Sequence, residues 1–209
     1  MTPQEMISNI AWLGHDSFRI VGSKTIYFDP YQIGPADPAD LVLVTHEHFD
    51  HCSPEDVAKV QGPATKIITE KDSAPQLSGD VQVVVPGEHV TVEGVTIEAV
   101  PAYNVDKAFH PKENGWLGFI VEIDGVRIYH AGDTDFIPEM SGFKTYIALL
   151  PVLGTYVMTA EEAVEAALAI HPQIAIPMHY GAIVGGSTDA DAFKSALEGK
   201  IEVVILDKV

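Results

Sequence analysis

The apolar run Leu41–Val44 passes directly into Thr45-His46-Glu47-His48-Phe49-Asp50-His51-Cys52. A continuous run of that kind reads as a strand covered on both faces. Its end carries four side chains of metal-ligand type within six residues. His46 and His48 lie two apart in extended chain, so both imidazoles point to one side. The chain then turns and brings in Asp50 and His51. Ser53-Pro54-Glu55-Asp56 opens a helix, with Ser53 of N-cap type, Pro54 at the first helical position and acids in the first turn. A buried strand whose C-terminal end is this polar is where α/β sheets hold their ligands. Imidazole with carboxylate suits Zn, Fe or Mn. Four such neighbours are costly to bury without a shared cation.

The rest of the chain reads as strands with helices between them. Ile7–Leu13, Ser17–Val21 and Thr25–Phe28 are expected strands, with turns at Gly14-His15-Asp16 and Gly22-Ser23-Lys24. Asp40–Val44, Lys66–Thr69, Val81–Val85, His89–Val92 and Val95–Val100 follow. In the second half Gly118–Ile123 and Val126–His130 flank Asp124-Gly125, a hairpin signal. Tyr146–Leu150, Gln173–Pro177 and Ile201–Leu206 read as further strands. Thr159–Ile170 is the clearest helix, with Thr159 as cap and Glu162 at N3, and Asp189–Leu197 is another. Strands first, then strand-helix alternation, in two similar halves, predict two packed sheets with helices outside.

Length and charge bound the partners. The 209 residues suit a single domain, 1–209, with a real core. Lys and Arg number 12 against 30 Asp and Glu, a net charge of −18, and Arg19 and Arg127 are the only arginines. No basic cluster exists to localise counterion release, so nucleic acid is not an expected partner. No apolar stretch approaches the ~18 residues of a membrane span. The N-terminal residues lack a signal peptide's basic and apolar regions. With a lone cysteine, Cys52, no internal disulfide can form; a cytoplasmic location is expected.

The run from His46 to His51 resembles the signature of the metallo-β-lactamase-fold metal-dependent hydrolases, and the family's other elements occur in order along the chain. The resemblance implies an α+β, four-layer αββα sandwich with the site at the edge of the two sheets. It implies two divalent cations, Zn first, with Mn or Fe as alternatives. His46 and His48, with a third histidine, would hold one. Asp50 and His51 would hold the second, Asp133 in His130-Ala131-Gly132-Asp133 would bridge both, and His179 in Pro177-Met178-His179-Tyr180 would complete the set. Asp29, in Phe28-Asp29-Pro30, resembles the early strand-end Asp that supports a ligand histidine or the ligand loop. The third histidine is open: relatives often carry His where Asn104 stands, whereas His110 lies six residues on with the better ligand chemistry. Replacement of Asn104 by His is expected to be tolerated. Trp12-Leu13-Gly14-His15 resembles a branch that includes ascorbate-6-phosphate lactonase and N-acyl-phosphatidylethanolamine phospholipase D, giving His15 a role beside the site.

The remaining candidates are His130 and Asp135, as supporting or substrate-side groups, and Lys107 and Tyr180, as holders of a substrate oxyanion or phosphate. Cys52 reads as a small buried residue. A dinuclear site acidifies bound water and polarises the bond under attack, and Asp50 could accept a proton. The expected activity is hydrolysis of an ester-like bond in a small molecule, with a lactone or phosphodiester favoured. The alternatives are a metal-binding module without turnover and a di-iron redox protein. The second usually has Glu where His48 stands. Specificity would reside in Asn104–Asn114 and Ala182–Thr188. Self-association is open.

Overall fold

The computed structural model of the chain describes residues 1–183 and 185–209. The first sheet contains β1 (Ile10–Gly14), β2 (Ser17–Val21), β3 (Thr25–Phe28), β4 (Ala39–Leu43), β5 (Gln61–Thr69) and β6 (Asp80–Val83), side by side in chain order. Its first three strands are antiparallel, and β3 to β6 run parallel. The second contains β7 (His89–Val92), β8 (Val95–Pro101), β9 (Leu117–Ile123), β10 (Val126–His130), β11 (Ile147–Pro151), β12 (Ile174–Met178) and β13 (Glu202–Val203). It repeats the plan: antiparallel from β7 to β10, then parallel from β10 to β13. The helices are α1 (Pro3–Ile7), α2 (Pro54–Val60), α3 (Ala160–Ile170) and α4 (Ser187–Ala196).

The alternation of side chains separates the layers. From β3, β4 and β5, Ile26, Phe28, Leu41, Leu43 and Ile68 join the main core with the second sheet. Their neighbours Tyr27, Val42 and Ile67 face the other way, against Val57 and Val60 of α2. Helices α3 and α4 pack on each other and on β11 and β12. The result is the expected αββα sandwich with the metallo-β-lactamase topology. Thr159 and Glu162 form the capping box that starts α3, and Ser53 caps α2 through the Asp56 amide. Asp124 and Gly125 both take positive φ, 51° and 79°, the geometry of a tight two-residue hairpin.

Several expected elements differ, among them the strand expected at Lys66–Thr69, which begins five residues earlier, at Gln61. Ile7–Leu13 is not one strand: Pro3–Ile7 forms α1, started by a Thr2–Glu5 capping box, and the strand begins at Ile10. The last expected strand, Ile201–Leu206, is reduced to Glu202–Val203, at the sheet edge, where it pairs with β12. The segment Ala182–Thr188 is not all loop, because α4 starts at Ser187; Val184 within it lies outside the described residues.

Candidate metal centre

The catalytic-type side chains collect where the parallel strands end. Thr45 leaves β4 with its amide donating to Asp29 Oδ1 at 2.8 Å and its hydroxyl to Asp29 Oδ2 at 2.7 Å. The Thr45 hydroxyl lies 3.0 Å from His46 Nδ1, and Asp29 Oδ2 takes the His51 Nδ1–H at 2.8 Å. Asp29 is fully buried. One carboxylate thus fixes the ligand loop and the tautomer of His51, leaving Nε2 free to face inward. His46 Nε2 and His48 Nδ1 stand 3.0 Å apart. Trp116 packs against both rings, with centroids 4.8 and 4.7 Å away.

Asp133 enters from the exit of β10. Gly132 before it has φ +61°, and a Cβ there would sit 2.7 Å from the Leu117 carbonyl oxygen, so the approach needs glycine. The two oxygens of Asp133 face different partners. Oδ2 is 3.1 Å from His110 Nε2, whereas Oδ1 is 3.1 Å from His179 Nε2 and 3.3 Å from His51 Nε2. His179 follows β12 with φ +61°. His15 and Asp29 also have positive φ, 53° and 39°, so three non-glycine residues at this one place adopt a backbone form that side chains disfavour.

His110 and Asn104 meet in one arrangement. Asn104 Oδ1 accepts from the His110 amide at 2.9 Å and lies 3.0 Å from His110 Nδ1. Asn104 Nδ2 donates to Asp135 Oδ1 and to the Tyr156 carbonyl, at 3.1 and 2.9 Å. The amide therefore holds the ring so that Nε2 points at Asp133, and it is His110, not Asn104, that presents a free ligand atom to the cluster.

Electrostatics separate the groups. Burial pushes His46 and His48 down, keeping them neutral with lone pairs available. Burial works against ionisation of Asp133, yet His179 and His51 hold its carboxyl well below the usual range. Burial likewise opposes charge on Asp50, which the hydrogen bond from His15 nonetheless holds low.

Two sets of donors result, with ligand atoms mutually within 4.8 Å: His46, His48, His110 and Asp133; and His15, Asp50, His51 and His179. His51 and His179 also group with Asp133 and Asp16. Around a tetrahedral ion with bonds of about 2.0 Å, ligands stand ~3.3 Å apart, which matches the separations about Asp133. His51 Nε2, His110 Nε2, His179 Nε2 and Asp133 Oδ1 are buried with no hydrogen-bond partner among the described residues. Unsatisfied buried donors and acceptors converging on one centre are what a cation would satisfy, so the residues present fit a metal.

Other sequence candidates lie elsewhere. His130 is wedged between the sheets, its ring stacked 4.8 Å from Phe28, and its Nε2 is 2.8 Å from the Asp16 carbonyl. Asp135 and Lys107 bind each other at 2.7 Å and brace the Asn104 loop, so the lysine charge is already matched. Tyr180 packs on Trp12, with centroids 4.8 Å apart. Cys52 is buried in the α2 core, its thiol pushed up to about 11 by burial. Neither Lys107 nor Tyr180 lines the cavity that opens on the cluster. Trp116 and Asp16 join the cluster with little in the sequence to mark them: the first is an aromatic next to a strand start, the second a turn residue.

The sequence profile of a beta-lactamase superfamily domain matches residues 9–179. A UPF0173 metal-dependent hydrolase from Thermococcus onnurineus is 35% identical over 215 residues, covering 94% of this chain and 95% of the relative. A crystal structure from Parabacteroides distasonis superposes with a TM-score of 0.86 at 36% identity, covering 95% of this chain and 93% of the other. Igni18, a metallo hydrolase from the archaeon Ignicoccus hospitalis, superposes at 0.78 with 25% identity, covering 95% and 94%. The chain belongs to the beta-lactamase superfamily and, within it, to the UPF0173 metal-dependent hydrolases.

Proposed function

We propose that residues 1–209 form one hydrolase domain that uses two divalent cations to cleave an ester-like bond in a small uncharged molecule. The observation that carries this is Asp133: each of its oxygens faces a different set of imidazoles. A carboxylate can span two cations, with His46, His48 and His110 holding one and Asp50, His51 and His179 the other. Imidazole-rich donors favour Zn, with Mn or Fe as alternatives. Cations there would acidify water and polarise the carbonyl oxygen under attack. Asp50, kept ionised by His15 at 3.1 Å, is the side chain placed to take a proton as the bond breaks. The Trp12-Leu13-Gly14-His15 stretch is what favours the lactonase-like branch.

The mouth of the site favours a lactone over a phosphodiester. A cavity of about 270 Å³ opens on His48, His110, Asp133 and His179, and Phe49, Phe109, Tyr156 and Ile183 wall it. Phe49 and Phe109 are exposed, and Phe109 meets Tyr156 edge-on at 4.7 Å. No Lys or Arg lines the cavity among the described residues. Apolar walls with a few convergent polar groups bind uncharged ligands, and phosphate groups usually meet Arg or Lys. A cavity of this volume takes roughly ten heavy atoms. The favoured substrate is therefore a small lactone or other carboxylic ester with an apolar group.

The test is a panel of lactones, p-nitrophenyl esters and bis-p-nitrophenyl phosphate with the metal-loaded and chelator-treated protein. Turnover of carboxylic esters that chelation abolishes is the expected result. Full activity after complete metal removal would sink the proposal. Bound metal without turnover of any ester would favour a binding module.

A further inference from the structure

Asp16 sits at the tip of the β1–β2 hairpin, in a two-residue turn between the paired Gly14 and Ser17. Hairpin tips ordinarily face water, yet this one is buried: Asp16 is fully inaccessible and His15 nearly so. The backbone of the tip is satisfied. The His15 carbonyl accepts from Trp12 Nε1 at 2.8 Å and from the His179 amide at 3.3 Å, and the Asp16 carbonyl faces His130 Nε2 at 2.8 Å. The Asp16 carboxylate is not. Neither oxygen has a hydrogen-bond partner among the described residues.

A buried carboxylate is costly unless something compensates it. The groups around Asp16 sharpen the problem. Asp29 and His130 lie within 4.8 Å, but Asp29 is another carboxylate and both His130 nitrogens are engaged. On its other side Asp16 shares a cluster with His51, Asp133 and His179, again within 4.8 Å, and its Oδ2 is 3.9 Å from His51 Nδ1. No side chain among the described residues hydrogen-bonds the carboxylate, and the unpartnered imidazole nitrogens of His51 and His179 lie in the same cluster.

We propose that Asp16 gives a carboxylate oxygen to the cation held by His51, Asp133 and His179. This rests on the two-cation reading of the site. His15 and Asp16, adjacent in one turn, then serve the same cation from two sides, His15 through Asp50 and Asp16 directly.

The experiment compares wild type with Asp16→Asn and Asp16→Ser by equilibrium dialysis against Zn and by thermal melts in EDTA and in Zn. In the variants the second ion should bind at least about tenfold more weakly. The rise in Tm on adding Zn should shrink. Two ions bound with wild-type affinity, and an unchanged Zn-dependent rise, would overturn the role of Asp16 while leaving the two-cation site intact. No ion bound by wild type would overturn both. Should neither variant fold, Zn-edge diffraction from wild type decides: an Asp16 oxygen about 2.0–2.2 Å from an ion is expected, and one beyond first-sphere distance of any ion refutes the role.

Discussion

At the scale of single residues, Asn104 changes from a competitor of His110 into its support. Its side chain makes contacts with His110, Asp135 and the Tyr156 carbonyl. Histidine cannot provide that set of donors and acceptors, so the expectation that Asn104→His is tolerated gives way. The substitution should cost about 1–3 kcal/mol, the penalty for leaving buried partners unmatched, read from a denaturant titration. An unchanged midpoint would contradict it. His110→Ala should weaken the first ion by about ten- to a hundredfold, measured by competition with a chromophoric chelator. His179→Ala should lose metal and turnover together while keeping its circular dichroism spectrum; full metal content in that variant would remove His179 from the centre.

At the scale of elements, the loop leaving β3 is tied to α2 by Asp56. Its carboxylate accepts from the amides of Gln32 and Ile33 at 2.9 and 3.1 Å, from Ser53 Oγ at 2.7 Å and from Lys59 Nζ at 2.8 Å. Burial would raise its pKa, but these bonds, led by Lys59 and Ser53, outweigh it and hold the carboxyl low. The folded state therefore binds this proton less readily than the unfolded chain. The stabilisation is complete above the ordinary carboxylate value of about 4 and is lost as pH falls through the depressed one. Asp56→Asn should cost about 1–3 kcal/mol at pH 7, with the gap to wild type closing in acid. A gap that widened in acid would reverse the assignment.

Much at this scale was legible. The strands Ser17–Val21 and Thr25–Phe28 have the bounds their apolar pattern gives, and Ser53 and Thr159 cap the helices they were expected to start. Helix α1 was not legible, because its five residues run straight into an apolar stretch that reads as strand. The burial of Asp16 was not legible either. A two-residue turn looks solvent-exposed until the second sheet closes over it, and that contact joins residues more than a hundred positions apart. His110 was visible as a ligand type, but its orientation depends on the loop that Asn104 closes.

At the scale of the whole molecule, the two sheets each end their parallel strands at the same edge, and donors from separate elements meet there. His46 to His51 come from the loop after β4, Asp133 from β10 and His179 from β12. The ions would thus cross-link both halves of the sandwich, so chelation should lower the Tm by several degrees or more. A Tm indifferent to EDTA would mean that no such link exists. Described residues include no helix long and apolar enough to cross a membrane, and the charge of −18 disfavours anionic polymers as partners. The most direct measurement is metal content by mass spectrometry on the purified, Zn- or Mn-saturated chain. Close to two ions per chain are predicted; a stable value of zero would contradict the two-cation centre on which the proposed chemistry depends.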